Sequence, residues 1–339
     1  MENKTKVKVK MMKNSTFVYV ASCVSDGGIL RYRLSSDGTF TFVDKLDLPT
    51  PNYMVREGDV MYVTLQTPFP KSKEGGVIRL RIAEDGSLST DGEVIPSGGT
   101  STCHLAFEGT DIYLANYSSG SVTKVGNAPL CHNGRGVHPT RQEGPHCHCT
   151  FFSPDRRYVL VCDLGLDTVF VYDRDLKEVS RAKVPDGEGC RHLAFSKDGR
   201  FVYVLNELGC SVSVFTYDDG KLLYRSTLPT RTYRAHEGPD KGSAIKLSRN
   251  GKYLFITNRG ENEVVTLRVK GEKLRVVSRC DTEGDEPRDF SLLGGERFGL
   301  VTNQFSDSIL LYRVSRLPFG KLKKILKLDV PAPLCVIEL

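Results

Sequence analysis

The chain has 339 residues, 39% of them hydrophobic and 26% charged, and 47 Lys and Arg against 41 Asp and Glu leave a formal charge of +6. This is the composition of an ordinary globular protein, and its basic residues are too dispersed for a dedicated nucleic-acid binder, which gathers them into one patch. No stretch approaches the roughly 18 apolar residues of a membrane span, and the N-terminus lacks the apolar core of a signal peptide, so the expected location is the cytoplasm. The ten cysteines form no CxxC pair and in a reducing compartment are expected to be buried small hydrophobes, not disulfides.

In chain order, the Lys-rich start "KTKVKVKMMK" reads as a solvated strand face or a frayed terminus, with residues 1–15 outside the regular repeat. There follow seven similar units: "FVYVASCVSDGGILRYRL" from Phe17, "VMYVTLQT" from Val60, "DIYLANYSSGSVTKV" from Asp111, "RYVLVCDLGLDTVFVYD" from Arg157, "RFVYVLNELGCSVSVFTYD" from Arg200, "KYLFITNRGENEVVTLRV" from Lys252 and "RFGLVTNQFSDSILLYRV" from Arg297. Each is an apolar run, a polar turn with Gly, Asn or Asp, and a second alternating run, which is a strand, a tight turn and a strand. Anchored on Tyr19, Tyr62, Tyr113, Leu160, Tyr203, Phe255 and Leu300, the units are 43, 51, 47, 43, 52 and 45 residues apart. That period with strand signals alone predicts β-propeller blades. The expected fold is all-β, a seven-bladed propeller of four-stranded antiparallel blades filling residues 1–339 as one domain.

A further strand precedes six of the anchors: "PNYMVRE", "TCHLAFE", "HCTFFSPD", "CRHLAFSKDG", "SAIKLSRNG" and "PRDFSLLGG". Tyr19 has none, and "PLCVIEL" is left over at the C-terminus. The C-terminal strand is therefore expected to complete the first blade and close the ring, removing the open sheet edges. The basic run "KLKKILK" near the end reads as a solvated strand face.

Innermost strands line a propeller's channel, so equivalent repeat positions form rings around it. Twelve residues before the anchor stand His148, Arg191, Ser243 and Arg288, and with shorter turns Asn52 and Cys103. Four after it stand Cys23, Gln66, Tyr117, Leu164, Glu207, Arg259 and Gln304. Both rings are expected at one mouth, where they gather a histidine, a glutamate and three arginines. Arginines converge on planar or tetrahedral anions through forked donors, and a histidine beside them moves protons at neutral pH. The same groups would also serve as structural ion pairs between blades.

"EGPHCHCTFFSPD", from Glu143, places His146, Cys147, His148 and Cys149 in succession. Strand alternation would put both histidines on one face and both cysteines on the other, so no single metal ion takes all four, and no metal is expected. The cysteines are expected to be buried between blades. His132 and His138 read as part of a blade-connecting insertion, and His236 as a surface-loop residue.

The stretches "ANYSSGSV", "RQEGPHCHCTFFSPD", "CDLGLDTVFVYD", "CRHLAFSKDGRFVYVLNELGCSV", "SRNGKYLFITNRGENEV", "PRDFSL" and "TNQFSDSILLYRV" together resemble the seven-bladed propeller lactonases. That family includes bacterial 6-phosphogluconolactonases and a fungal carboxy-cis,cis-muconate cyclase. The resemblance runs from about Phe17 to the end and implies a channel site of one histidine, two arginines and one glutamate, which fall on His148, Arg191, Arg259 and Glu207 as catalytic residues. Arg288, Gln304 and Asn52, from the same rings, and His146 are expected to bind substrate. The family pattern implies an acidic residue where this chain has Ala244.

The expected function is hydrolysis of a sugar-acid lactone, 6-phosphoglucono-δ-lactone before others, in the pentose phosphate pathway. Expected with it are no cofactor, a small anionic substrate, no nucleic-acid or membrane partner, and a monomer or weak homodimer. Two rivals are lactone formation from an unsaturated dicarboxylate and a non-enzymatic scaffold for protein binding. The absence of Trp, and so of the WD dipeptide, argues against a WD-type scaffold.

Overall fold

The alternating runs pair into seven antiparallel sheets in the computed structural model, which describes residues 15–232, 238–316 and 319–339. The Lys-rich start and His236 lie outside the described residues. The inner strands are Pro51–Glu57, Thr102–Glu108, Cys147–Phe152, Cys190–Phe195, Lys241–Leu247, Pro287–Leu293 and Pro333–Glu338. Each packs on the next, and the C-terminal one packs on both Pro287–Leu293 and Pro51–Glu57. Pro333–Glu338 pairs with Ser15–Ser22 in the first blade, with Tyr19 opposite Ile337, so the ring closes as the leftover strand required. The second sheet departs from four strands: Leu88–Thr90 and Ile95–Thr100 share the outer edge of Glu74–Ile82. The only helical turn among the described residues is Leu164–Leu166.

The core lies between blades. The second strand of each sheet is apolar on both faces because it is covered on both sides, and among the described residues seven apolar clusters each straddle two neighbouring blades. Three anchor tyrosines add a polar clasp. Tyr19, Tyr113 and Tyr203 are fully buried and donate to the carbonyls of Gly86, Arg174 and Gly271 in the outer turns of the following blades, at 2.8, 2.6 and 2.9 Å. A buried hydroxyl needs such a partner. The basic run Lys321–Lys327 lies on the outer strand Phe319–Asp329 of the seventh blade, as its sequence suggested.

The inner strands share one irregularity. In every blade the pairing of inner and second strand slips at the same place: Pro51 pairs with Leu65 but Tyr53 with Thr64, Cys147 with Asp163 but Cys149 with Cys162, and Pro287 with Asn303 but Asp289 with Thr302. The residues stepped over are Asn52, Cys103, His148, Arg191, Ser243 with Ala244, Arg288 and Leu334. A bulged residue escapes strand alternation and is re-aimed. The expectation from plain alternation is therefore corrected in one respect. Cys147 and Cys149 are both buried between blades, but on opposite faces: Cys147 packs with Tyr113 and Phe152, Cys149 with Cys190 and Phe215. All ten cysteines are unpaired, seven of them buried.

Candidate active site in the channel mouth

The bulged residues meet the ends of the second strands at one mouth. There a cavity of about 420 Å³ is lined by Asn52, Tyr117, His148, Glu207, Arg259 and Arg288 among others. The second strands deliver their side chains through a repeated clamp. The residue before each ring position is a buried asparagine in four blades, Asn116, Asn206, Asn258 and Asn303. Asn206 Nδ2 donates to the Ser211 and Ser213 hydroxyls, both at 2.8 Å; Asn116 bonds Ser121 and Thr123 in the same way. The clamp ties the strand end to the following turn, so Glu207 and Tyr117 project from a fixed backbone.

Glu207 is the hub. Its Oε2 lies 3.0 Å from Arg191 Nε, 2.8 Å from Arg259 Nη2 and 3.8 Å from His148 Nε2, the last too long for a hydrogen bond. Its Oε1 takes Arg141 Nη2 at 2.5 Å. Burial works to raise the Glu207 carboxyl, but Arg259 and Arg191 outweigh it and hold it well below the usual carboxylate range. Burial, then Arg191, hold the His148 imidazole well below its ordinary 6.5, so His148 is neutral at pH 7 and able to accept a proton. Its Nδ1 faces Cys103 Sγ at 3.7 Å.

Among the described residues the cations outnumber the carboxylates. Arg141, Arg191, Arg259, Arg288 and Lys241 surround Glu207 and Glu286. Burial, then Arg288, push the Arg191 guanidinium down to about 9, and burial and Arg259 lower Arg288. Arg259 is held by Glu286 at 2.8 Å and the Gly242 carbonyl at 2.9 Å, while its Nε has no partner. Arg288 is half-buried on the cavity wall, and none of the described residues pairs with its guanidinium. A cavity with surplus positive charge and donors left over is built to receive an anion.

Of the residues singled out from sequence, the structure brings His148, Arg191, Glu207, Arg259, Arg288 and Asn52 together here. His146 stands behind Tyr117, stacked on its ring at 4.4 Å with Nδ1 3.1 Å from the Tyr117 carbonyl. Gln304 is half-buried and does not line the cavity. Ala244, where an acidic residue was expected, is fully buried against Phe255 and Phe290. Arg141, Lys241 and Glu286 were not anticipated. Arg141 lies in the connection between Cys131 and Cys147, which has no strand. Its length was a signal, since long structureless connections are commonly functional. This connection is pinned at both ends. Buried Gln142 bonds the Leu164 carbonyl at 2.8 Å and the His138 amide at 3.0 Å, and His132 Nδ1 meets Asp163 Oδ2 at 2.6 Å with Nε2 2.8 Å from Tyr172 Oη.

His132, Cys147 and Asp163 also bring one ligand atom each to a common point, the one such group among the described residues. Both imidazole nitrogens and both Asp163 oxygens already have partners, including the His146 and Leu166 amides. The group is a complete hydrogen-bonded clasp.

A family model described as "Lactonase, 7-bladed beta-propeller" matches residues 17–338. A protein of uncharacterised function from Staphylococcus aureus is 29% identical over 321 residues, 86% of this chain and 90% of its own. Two solved structures superpose with a TM-score of 0.86 at 27% identity: a candidate 6-phosphogluconolactonase from Bacteroides fragilis, covering 97% of this chain and 99% of its own, and a periplasmic gluconolactonase from Pseudomonas aeruginosa, covering 96% and 99%.

Proposed function

This chain belongs to the lactonase family of seven-bladed β-propellers, and from that premise we propose that it hydrolyses the lactone of an anionic sugar acid, 6-phosphoglucono-δ-lactone before others, in the mouth around His148. One observation carries the reading: Arg288 lines the cavity with no partner among the described residues, beside a histidine held neutral. A phosphate or carboxylate is the natural occupant of an unpartnered guanidinium.

In this route His148 takes a proton from the attacking water, and Glu207, ionised and fixed by arginines, orients the water. Addition to the ring carbonyl makes a tetrahedral oxyanion, which the guanidinium of Arg259 on the cavity wall stabilises. The C–O bond to the ring oxygen then breaks, His148 returns its proton to that oxygen, and the open hydroxy acid leaves. Arg288 holds the distal anion throughout. Every group used is a side chain of this protein. We place the protein in the cytoplasm on its ten unpaired cysteines.

The surplus of cations also fits a substrate with several carboxylates, so lactone formation from an unsaturated dicarboxylate is the second reading. The test is hydrolysis of 6-phosphoglucono-δ-lactone, glucono-δ-lactone and a muconolactone, each against its spontaneous rate. Turnover of the phosphorylated lactone above the other two is expected. No turnover of any of them by pure protein would overturn the hydrolase reading, and formation of the muconolactone from the open dicarboxylate would install the cyclase.

A further inference from the structure

The four arginines of the mouth are held in different ways. Arg191 is tied to the Ser243 carbonyl and to Glu207. Arg259 is tied to the Gly242 carbonyl, Glu286 and Glu207. Both side chains are 3% exposed, and moving either would take its guanidinium from a buried backbone carbonyl, Ser243 or Gly242. Arg288 has no partner among the described residues to leave. Arg141 differs from all three. It comes from the connection between blades instead of a strand end, its side chain is 32% exposed, and its guanidinium is held by two side chains, Glu207 at 2.5 Å and the Tyr117 hydroxyl at 3.2 Å.

Arg141 can therefore be given up at small cost. Glu207 keeps Arg191 and Arg259 on Oε2 when Arg141 leaves Oε1, so no unpaired charge is buried. The backbone that carries Arg141 stays in place, because its neighbour Gln142 is buried and bonded on both sides. The exchange has a chemical reason: a phosphate or carboxylate offers a guanidinium fork two oxygens in the geometry it prefers.

We propose that Arg141 sets the preference for anionic lactones by exchanging Glu207 for the charged group of the substrate, in the cavity that Arg288 also lines. The exchange frees Glu207 Oε1 to accept a hydrogen bond from the attacking water. Recognition of the distal anion is thereby coupled to release of the catalytic carboxylate, and binding energy from a non-reacting part of the substrate is used at the reacting centre. A neutral lactone binds without driving the exchange, and Glu207 stays latched. This inference rests on the hydrolase reading for its substrates, though not for its binding test.

The experiment compares wild type with Arg141→Gln and Arg141→Lys on 6-phosphoglucono-δ-lactone and glucono-δ-lactone, with calorimetric binding of glucose 6-phosphate and glucose alongside. Arg141→Gln is expected to lower kcat/KM for the phosphorylated lactone about 100-fold, the worth of a charged hydrogen bond, and to raise it for the neutral lactone, because Glu207 Oε1 is then no longer latched. The lysine variant is expected to fall between, since it keeps the charge and loses the fork. Equal losses on both lactones would overturn the proposal and leave Arg141 a structural partner of Glu207. If wild type turns over neither lactone, the hydrolase reading falls, and calorimetry decides the inference: weaker binding of glucose 6-phosphate with glucose unaffected supports it, and unchanged binding of both overturns it.

Discussion

The two mouths of the channel are built by the same inner strands and differ in almost every respect. The bulged residues, Asn52, Cys103 and His148, face the charged mouth, and the residues after them in two blades, Tyr53 and His104, face the other way. Tyr53 stacks on His104 at 4.1 Å, and His192 meets His104 at 5.0 Å and His148 at 5.3 Å, both edge-on. Beyond them opens a larger cavity of about 550 Å³ lined by Phe107, Phe151 and Phe195. It holds neither the arginine cluster nor a buried carboxylate hub, so size does not locate the chemistry. A one-residue step along the strand changes anion-binding groups into stacked rings. The teaching is that the bulge, repeated in every blade, sorts two kinds of side chain to two ends.

The comparison breaks most sharply at Glu207. Glu207→Gln removes the negative hub that three arginines share and leaves their charges facing one another under little solvent. A loss of about 3–5 kcal/mol is expected from breaking a buried pair, read by urea unfolding, together with loss of lactone turnover. An equally stable variant would show that the arginines are not held by this carboxylate.

The next effect contrasts the two ends directly. His148→Ala is expected to lower kcat by about 10²–10⁴, the range for a general base, whereas His104→Phe, which keeps a ring against Tyr53, is expected to change it by less than about threefold. Equal effects would abolish the distinction between the mouths. The pH profile sharpens it. A base works when deprotonated, that is, above its pKa, and His148 is held well below 6.5 by burial and Arg191. Activity is therefore expected to persist below pH 6.5 and to fall only at more acid pH; an acid limb at or above 6.5 would remove His148 from the role.

The smallest effect lies outside both mouths. Tyr203→Phe deletes the hydroxyl that clasps the Gly271 carbonyl between the fifth and sixth blades. It is expected to cost about 1 kcal/mol in unfolding free energy with kcat unchanged. A change in kcat would mean that the packing between blades tunes the mouth.

Much of this was legible in the chain. Strand periodicity gave the blades, and the repeat register gave the ring positions, because a closed ring turns equivalent positions into neighbours. His148, Arg191, Glu207, Arg259 and Arg288 were found that way. Cys147 and Cys149 were misassigned to one face because alternation assumes regular pairing, and a bulge is a property of two strands together. Arg141 was missed because it belongs to no repeat. Its connection has no periodicity, and its path over the mouth is set by distant partners of Gln142 and His132.

The sequence by itself determined the number of blades, the closure of the ring by the C-terminal strand and the identity of the ring residues, since all three follow from local patterns repeated along the chain. The tertiary structure decided which cations are bound and which are left unpaired among the described residues. Arg191, Arg259 and Arg288 are the same residue type in the two rings of one mouth, and what separates them is the carbonyls and carboxylates that the fold places within reach. Those distances arise when strands far apart in sequence pack side by side, and no local pattern encodes them.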